Sequence, residues 1–172
     1  MSLRSGALPW FALAAAVVAL DQFTKHVVQQ QLRYGESVPV TAFLDLVLVF
    51  NPGAAFSFLS QAPGWQRWFF VAVALAASVV VTVLLLRHRG PVLLSAALGL
   101  ILGGAIGNVI DRLVLGAVVD FLHFHAGPYY WPAFNVADSA ITVGATLLVY
   151  DSFASGRRPP AVARDPLEGG GK

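Results

Sequence analysis

No cysteine occurs among the 172 residues. That excludes disulfides, thiolate metal ligands, a cysteine nucleophile and lipid attachment through a cysteine of this chain. Redox logic therefore says nothing about the compartment. Charge is scarce too: 12% of residues are charged and 57% are hydrophobic, where soluble domains carry about 25% charged residues. A soluble core of this size cannot hide so much apolar surface, so the class is an integral membrane protein of single-domain length. The formal net charge is +2, but the basic residues stand at segment ends rather than on one face. This is no nucleic-acid footprint. Also missing are a G-x-S-x-G elbow, a Walker loop, H-E-x-x-H and the G-x-G-D of presenilin-type intramembrane aspartyl proteases.

Four apolar runs are present. Arg4 and the run Ala7–Leu20 resemble the start of a signal peptide, but no Ala-x-Ala-like site follows, and the pattern continues through Phe23, Val27 and Val28. A helix over about Leu8–Val28 is long enough, at about 1.5 Å per residue, to span roughly 30 Å. Trp68–Leu86 is nineteen residues without a charge, the clearest span. Pro91–Ile110 carries Gly99, Gly103, Gly104 and Gly107, with overlapping G-x-x-x-G spacings that let another backbone approach closely. Val136–Phe153 is the fourth. The expected fold is all-α integral membrane: four transmembrane helices (about 8–28, 68–86, 91–110 and 136–153) and a small extramembrane sheet and lid on the outer face. Residues 1–155 form one membrane-embedded domain, and 156–172 form a disordered cytoplasmic tail rich in Pro, Gly and Arg. Gln29–Arg67 supplies the sheet, through the strand-like runs Ser37–Phe43 and Leu46–Phe50. Leu113–Phe134 is a second extramembrane interval, with Tyr129, Tyr130 and Trp131 as interface aromatics.

Four spans place both termini on one side. That side carries Arg4, Arg87, Arg89, Arg157, Arg158, Arg164 and Lys172, against Lys25, Arg33, Arg67 and Arg112 on the other. The imbalance puts the termini in the cytoplasm. Asp21, Asn51, Asn108, Asp111, Arg112, Asp120, Asn135 and Asp138 then gather towards the outer face.

Each cluster has a structural and a chemical reading. Asp21 and Lys25, four apart on one helix face, can simply neutralise each other. Asn51-Pro-Gly reads as a turn. Asn108, Asp111 and Arg112 form a polar clasp that fixes helix ends, or Arg112 and Asn108 orient a substrate or a catalytic acid. His123 and His125 share a strand face but have no third ligand at a recognisable spacing, so no metal is expected. Asn135 fits an N-cap, and Asp138 fits the first turn of a helix, where an anion is favoured. Asp120, between Val119 and Phe121, has no such role. In that apolar setting it should keep its proton to higher pH. One acid biased towards ionisation and one towards protonation meet the requirement of an aspartic hydrolase. The alternative is a small four-helix proton-coupled transporter or structural tetraspan, whose acids relay protons or lock helices.

Taken together, five pieces resemble bacterial lipoprotein signal peptidase, signal peptidase II. They are Asp21-Gln-Phe-Thr-Lys25, Asn51-Pro-Gly-Ala-Ala-Phe-Ser57, Gly103-Gly-Ala-Ile-Gly-Asn-Val-Ile-Asp-Arg112, Val119-Asp-Phe121 and Trp131-Pro-Ala-Phe-Asn-Val-Ala-Asp-Ser-Ala140. They come in the family's order over about Leu8–Phe153. The resemblance implies a membrane aspartic endopeptidase that cleaves prolipoproteins just before the diacylglyceryl-modified cysteine. It implies a catalytic dyad of Asp120 and Asp138, with Asp21, Lys25, Asn51, Gly104, Asn108, Arg112 and Asn135 binding substrate or positioning the dyad. It implies no metal or cofactor, no obligate protein partner, membrane lipid as surroundings, and the bacterial cytoplasmic membrane as location. The family's sheet and mobile lid map onto Gln29–Arg67.

Overall fold

The computed structural model describes residues 6–53, 64–87 and 91–155. Helix α1 spans Leu8–Gln31, with a proline in its first turn, where the fixed φ suits a helix start. It ends at Leu32, whose extended backbone turns the chain out of the helix while its N–H still bonds Val28 O at 2.9 Å. Strands β1 (Ser37–Thr41) and β2 (Leu44–Asn51) follow, then α2 (Trp65–Arg87) and α3 (Val92–Val114). Strands β3 (Val118–Ala126) and β4 (Tyr129–Tyr130) lead into α4 (Val136–Ser155).

The helices α1, α2 and α3 are each long and apolar enough to cross a membrane. Helix α4 has 20 residues but carries Asp138 and Asp151. Helix α3 is the centre of the bundle, touching α1, α2 and α4. It runs four residues beyond its expected end at Ile110, so Asp111 and Arg112 lie within the helix. The polar residues need not end it, because neighbouring elements satisfy them. Helix α2 instead turns Val73, Leu75, Val79 and Val80 outwards, as a lipid-facing helix does.

The glycines of α3 explain the close packing. A Cβ on Gly99 would lie 2.9 Å from Trp10 O, and one on Gly103 would lie 2.7 Å from Ala14 O. At Gly107 it would lie 2.7 Å from Asp21 Oδ2. This face is therefore occupied by α1 of the same chain. Gly104 faces the other way, and a Cβ there would collide with the Ala137 carbonyl of α4.

The sheet is antiparallel, in the order β1-β2-β3-β4. The expected sheet in the first interval is there, but half of it comes from the second interval: Leu44 pairs with Phe124 and Asn51 with Val118. Only β2 and β3 together bury a face. Leu48, Val119 and Phe121 pack with Val28 of α1, and Val136 of α4 lies against them. Burying each such side chain contributes about 1.5–3 kcal/mol, enough to seat the sheet on the bundle. Pro39 stands on the edge strand β1, where its missing N–H costs no ladder bond. The lid expected within Gln29–Arg67, and with it Ala54–Ser57, falls partly outside the described residues, as do the Arg-His-Arg connection beyond Arg87 and the tail.

Candidate active site

Strand β3 carries Asp120, 2% exposed. Its Oδ2 accepts a hydrogen bond from Asn51 Nδ2 at 3.0 Å, and its Oδ1 accepts one from Asn135 Nδ2 at 2.7 Å. Burial, and then the neighbouring charge of Asp138, push the Asp120 carboxyl up to about 7, against the pull of the Asn51 and Asn135 bonds. Asp138 stands in the first turn of α4 and is half-buried. Its Oδ1 accepts from Asn108 Nδ2 of α3 at 2.7 Å, and its backbone N–H donates to Asn135 Oδ1 at 2.8 Å. Asn135 is thus the N-cap of α4, as its position suggested. Asp138 lies just inside the cap.

Asn108 and Asn135 link the acids, and their neighbours dictate which way each amide points. Lys25 Nζ can only donate, and it lies 3.1 Å from Asn108 Oδ1. The Asn108 NH2 must therefore face Asp138. The Asp138 N–H likewise claims the oxygen of Asn135, turning its NH2 towards Asp120 and Val119 O. Asn51 follows the same rule: its oxygen accepts Gly53 N–H at 2.9 Å and its NH2 faces Asp120. Gly53 has φ +114°, a conformation natural to glycine in such a turn. Each of these amides presents a donor to a carboxylate.

Behind them lies an ion-pair network that the spacing showed only in part. Lys25, 1% exposed, is 2.8 Å from Asp21 Oδ2, the expected i, i+4 pair, and also 2.8 Å from Asp111 Oδ2. Asp21 Oδ1 accepts the Ala137 N–H at 2.9 Å, so a carboxylate of α1 satisfies an open N–H at the start of α4. Asp111 Oδ2 accepts the Val119 N–H at 3.0 Å, next to Asp120, and Oδ1 accepts Gln22 Nε2 at 2.8 Å. The cluster joins α1, α3, α4 and β3 behind the acids. Asp111 and Gln22 join the site only through the fold. The available signal was that Asn108 and Asp111, three apart, share a helix face.

Arg112 donates from Nη1 to Asn108 O at 3.3 Å and lies over the Phe70 ring, 5.3 Å from its centroid. Asp138, Asp120 and Asp111 all act on its charge. Gly104 lets α3 meet α4 one residue before Asp138. His123 and His125 lie away from this cluster, where His125 Nε2 is 3.3 Å from Asp45 Oδ1 and both imidazoles pack on Tyr130. Beside Asp138 an open groove of about 300 Å³ runs along α4, lined by Trp131, Phe134, Ser139, Thr142 and Val143.

Residues 13–154 match the signal peptidase (SPase) II family. The chain belongs to that family. Its relatives in the family include the lipoprotein signal peptidase of Azoarcus sp., 59% identical over 89% of this chain and 87% of the relative. That of Cupriavidus necator is 58% identical over 88% and 86%. A solved structure described as a bacterial membrane enzyme superimposes with a TM-score of 0.78 at 29% identity, covering 90% of this chain and 94% of the other. A second of the same description gives 0.74 at 30% identity, over 84% and 92%. The signal peptidase II match begins inside α1 and ends inside α4, so it contains the whole Asp120–Asp138 cluster.

Proposed function

We propose that this chain removes signal peptides from prolipoproteins as an aspartic endopeptidase, cutting just before the diacylglyceryl-modified cysteine. Asp120 and Asp138 are its catalytic pair. Four helices cross the bacterial cytoplasmic membrane, α4 completing the bundle, and residues 1–155 form one domain with cytoplasmic termini. The sheet and both acids then lie at the outer face.

The observation that carries this reading is the asparagine-linked pair of acids. Two carboxylates on separate elements, β3 and α4, are each held by amide donors, and the deeper one titrates near 7. A pair holding a single proton at neutral pH can act as base and acid together. Asp138 takes a proton from a water seated between the acids, while protonated Asp120 hydrogen-bonds the scissile carbonyl oxygen. The water oxygen attacks the carbonyl carbon. Asp120 gives its proton to the carbonyl oxygen as the tetrahedral diol forms. The diol collapses as Asp138 passes its proton to the amide nitrogen, which leaves as the amine of the lipidated cysteine, and Asp120 recovers a proton from a diol hydroxyl. Arg112 and Asn51 border the acids and orient the substrate backbone. Asn108, Asn135, Lys25 and Asp21 position the dyad, and Gly104 permits the helix contact. The groove beside Asp138 is apolar enough for the signal segment or the lipid chains to approach from the bilayer. No metal or cofactor enters this mechanism.

The test uses purified protein in detergent with lipidated and unlipidated precursor. Product from the lipidated form alone is the expected result, and Asp120→Asn and Asp138→Asn should each abolish it while still inserting into the membrane. Cleavage by Asp138→Asn sinks the dyad. No product from wild type, with proton flux in liposomes, supports the transporter reading instead.

A further inference from the structure

We propose that the outward face of the sheet is a subsite for the mature side of the substrate, selective for a basic side chain a few residues after the cut. The inference rests on the peptidase reading above. Along β2, side chains alternate between faces. Leu46, Leu48 and Phe50 face the helices. Asp45, Val47 and Val49 line an open groove of about 490 Å³ on the other side. The next residue of that row is Asn51, which holds Asp120. Val49 is also the pairing partner of Asp120 itself. The groove therefore runs along the strand as far as Val49, the residue paired with Asp120.

At its far end the lining turns polar, with Ser37, Asp45, His123 and Tyr130. Asp45 and His123 are cross-strand partners. The Ser37 hydroxyl donates to Asp45 Oδ2 at 3.2 Å, and His125 holds Oδ1. These bonds fix the carboxylate but leave its charge facing the groove. Tyr130 closes that end with an exposed ring that packs on His123 at 5.1 Å between centroids. A carboxylate beside an aromatic ring suits a lysine ammonium or arginine guanidinium. From Asp120 to His123 is three residues of β3, roughly 10 Å at about 3.3 Å each. An extended peptide leaving the acids over this face reaches Asp45 with about its third to fifth residue after the scissile bond.

The mature portion of the substrate is the occupant these features favour. The lipid and signal segment belong to the bilayer, whereas the residues after the cut leave through the aqueous side, where the sheet lies. Nothing in the two-acid chemistry needs this groove, so its effect should be on selection.

The experiment measures kcat/KM for two lipidated precursors that differ only in carrying Lys or Glu at the fourth residue after the cut. Wild type should prefer the Lys precursor by about fivefold, the scale of one partly exposed ion pair. The preference should reside in KM and shrink in high salt. Asp45→Asn should bring the ratio close to one, and His123→Glu should raise it. Because each preparation is read against itself, a smaller folded fraction cancels from the ratio. An equal rate for both precursors in wild type overturns the subsite. So does a preference that survives Asp45→Asn unchanged. If wild type cleaves neither precursor, the peptidase reading fails instead.

Discussion

Replacing Asp120 by Asn should remove activity and, above neutral pH, raise stability. The wild-type carboxyl titrates at about 7 in the fold, against 3.8 for the free group. The sign follows from linkage. A raised folded-state pKa means that the folded chain holds its proton more tightly than the unfolded chain. The benefit is complete below about pH 3.8 and is lost as pH climbs towards 7. Above pH 7 the burial of the ionised acid costs on the order of 4 kcal/mol, of which about 2–3 kcal/mol accrues between pH 5 and 7. Asn carries no charge and escapes this cost. It also has only one accepting oxygen for the two amide donors, Asn51 and Asn135, that converge on Asp120. One donor then faces another, at about 1–3 kcal/mol. The variant should therefore be equal to or weaker than wild type at pH 5, and more stable at pH 8. The assay is thermal unfolding of both proteins in one detergent at the two pH values. Every other titrating group is common to both, so the change in their difference reports Asp120 together with its coupling to Asp138. A difference that does not move between pH 5 and 8 would refute the account of Asp120, whatever the activity.

Other expectations follow from the same contacts. Cleavage by wild type should fall as pH rises through about 7, because Asp120 then loses the proton it offers the carbonyl; a rate that stays flat to pH 9 contradicts the assignment. Lys25→Met leaves Asp21 and Asp111 buried without their cation and should destabilise by about 3–5 kcal/mol. Adding Asp111→Asn should recover part of that loss in the same unfolding assay. Gly104→Ala drives a methyl into the Ala137 carbonyl, so α3 and α4 must part, at about 1–3 kcal/mol of overpacking. Cleavage should drop further than stability, since Asn108 and Asp138 separate with the helices. Asn135→Ala removes the α4 cap and a ligand of Asp120. It should cost about 1–2 kcal/mol in unfolding, with a larger loss in kcat than in KM.

Some of this molecule could be read one residue at a time. Trp68–Leu86 needs only its missing charges to become a helix that can cross a bilayer, because no other backbone arrangement satisfies its polar groups there. Asn135 and Asp138, three apart before an apolar run, specify a helix start locally, and both strand-like runs of the first interval formed strands. The ordered set of five motifs identified the family. What pairs with what was a different matter. Lys25 was visible with Asp21 because four residues fix a helix face, but its second acid, Asp111, arrives only when α3 packs on α1. The glycines of α3 announced close contact without naming the partner. The fold assigned Gly103 and Gly107 to α1, and Gly104 to α4. The apolar neighbours of Asp120 foretold a shifted carboxyl, while the amides that hold it come from β2 and from the cap of α4, distant in sequence. Hydrophobic pattern and capping are local and survive in a string of letters. Shared donors, buried ion pairs and close backbone approach depend on which surfaces meet, and only the tertiary structure decided that.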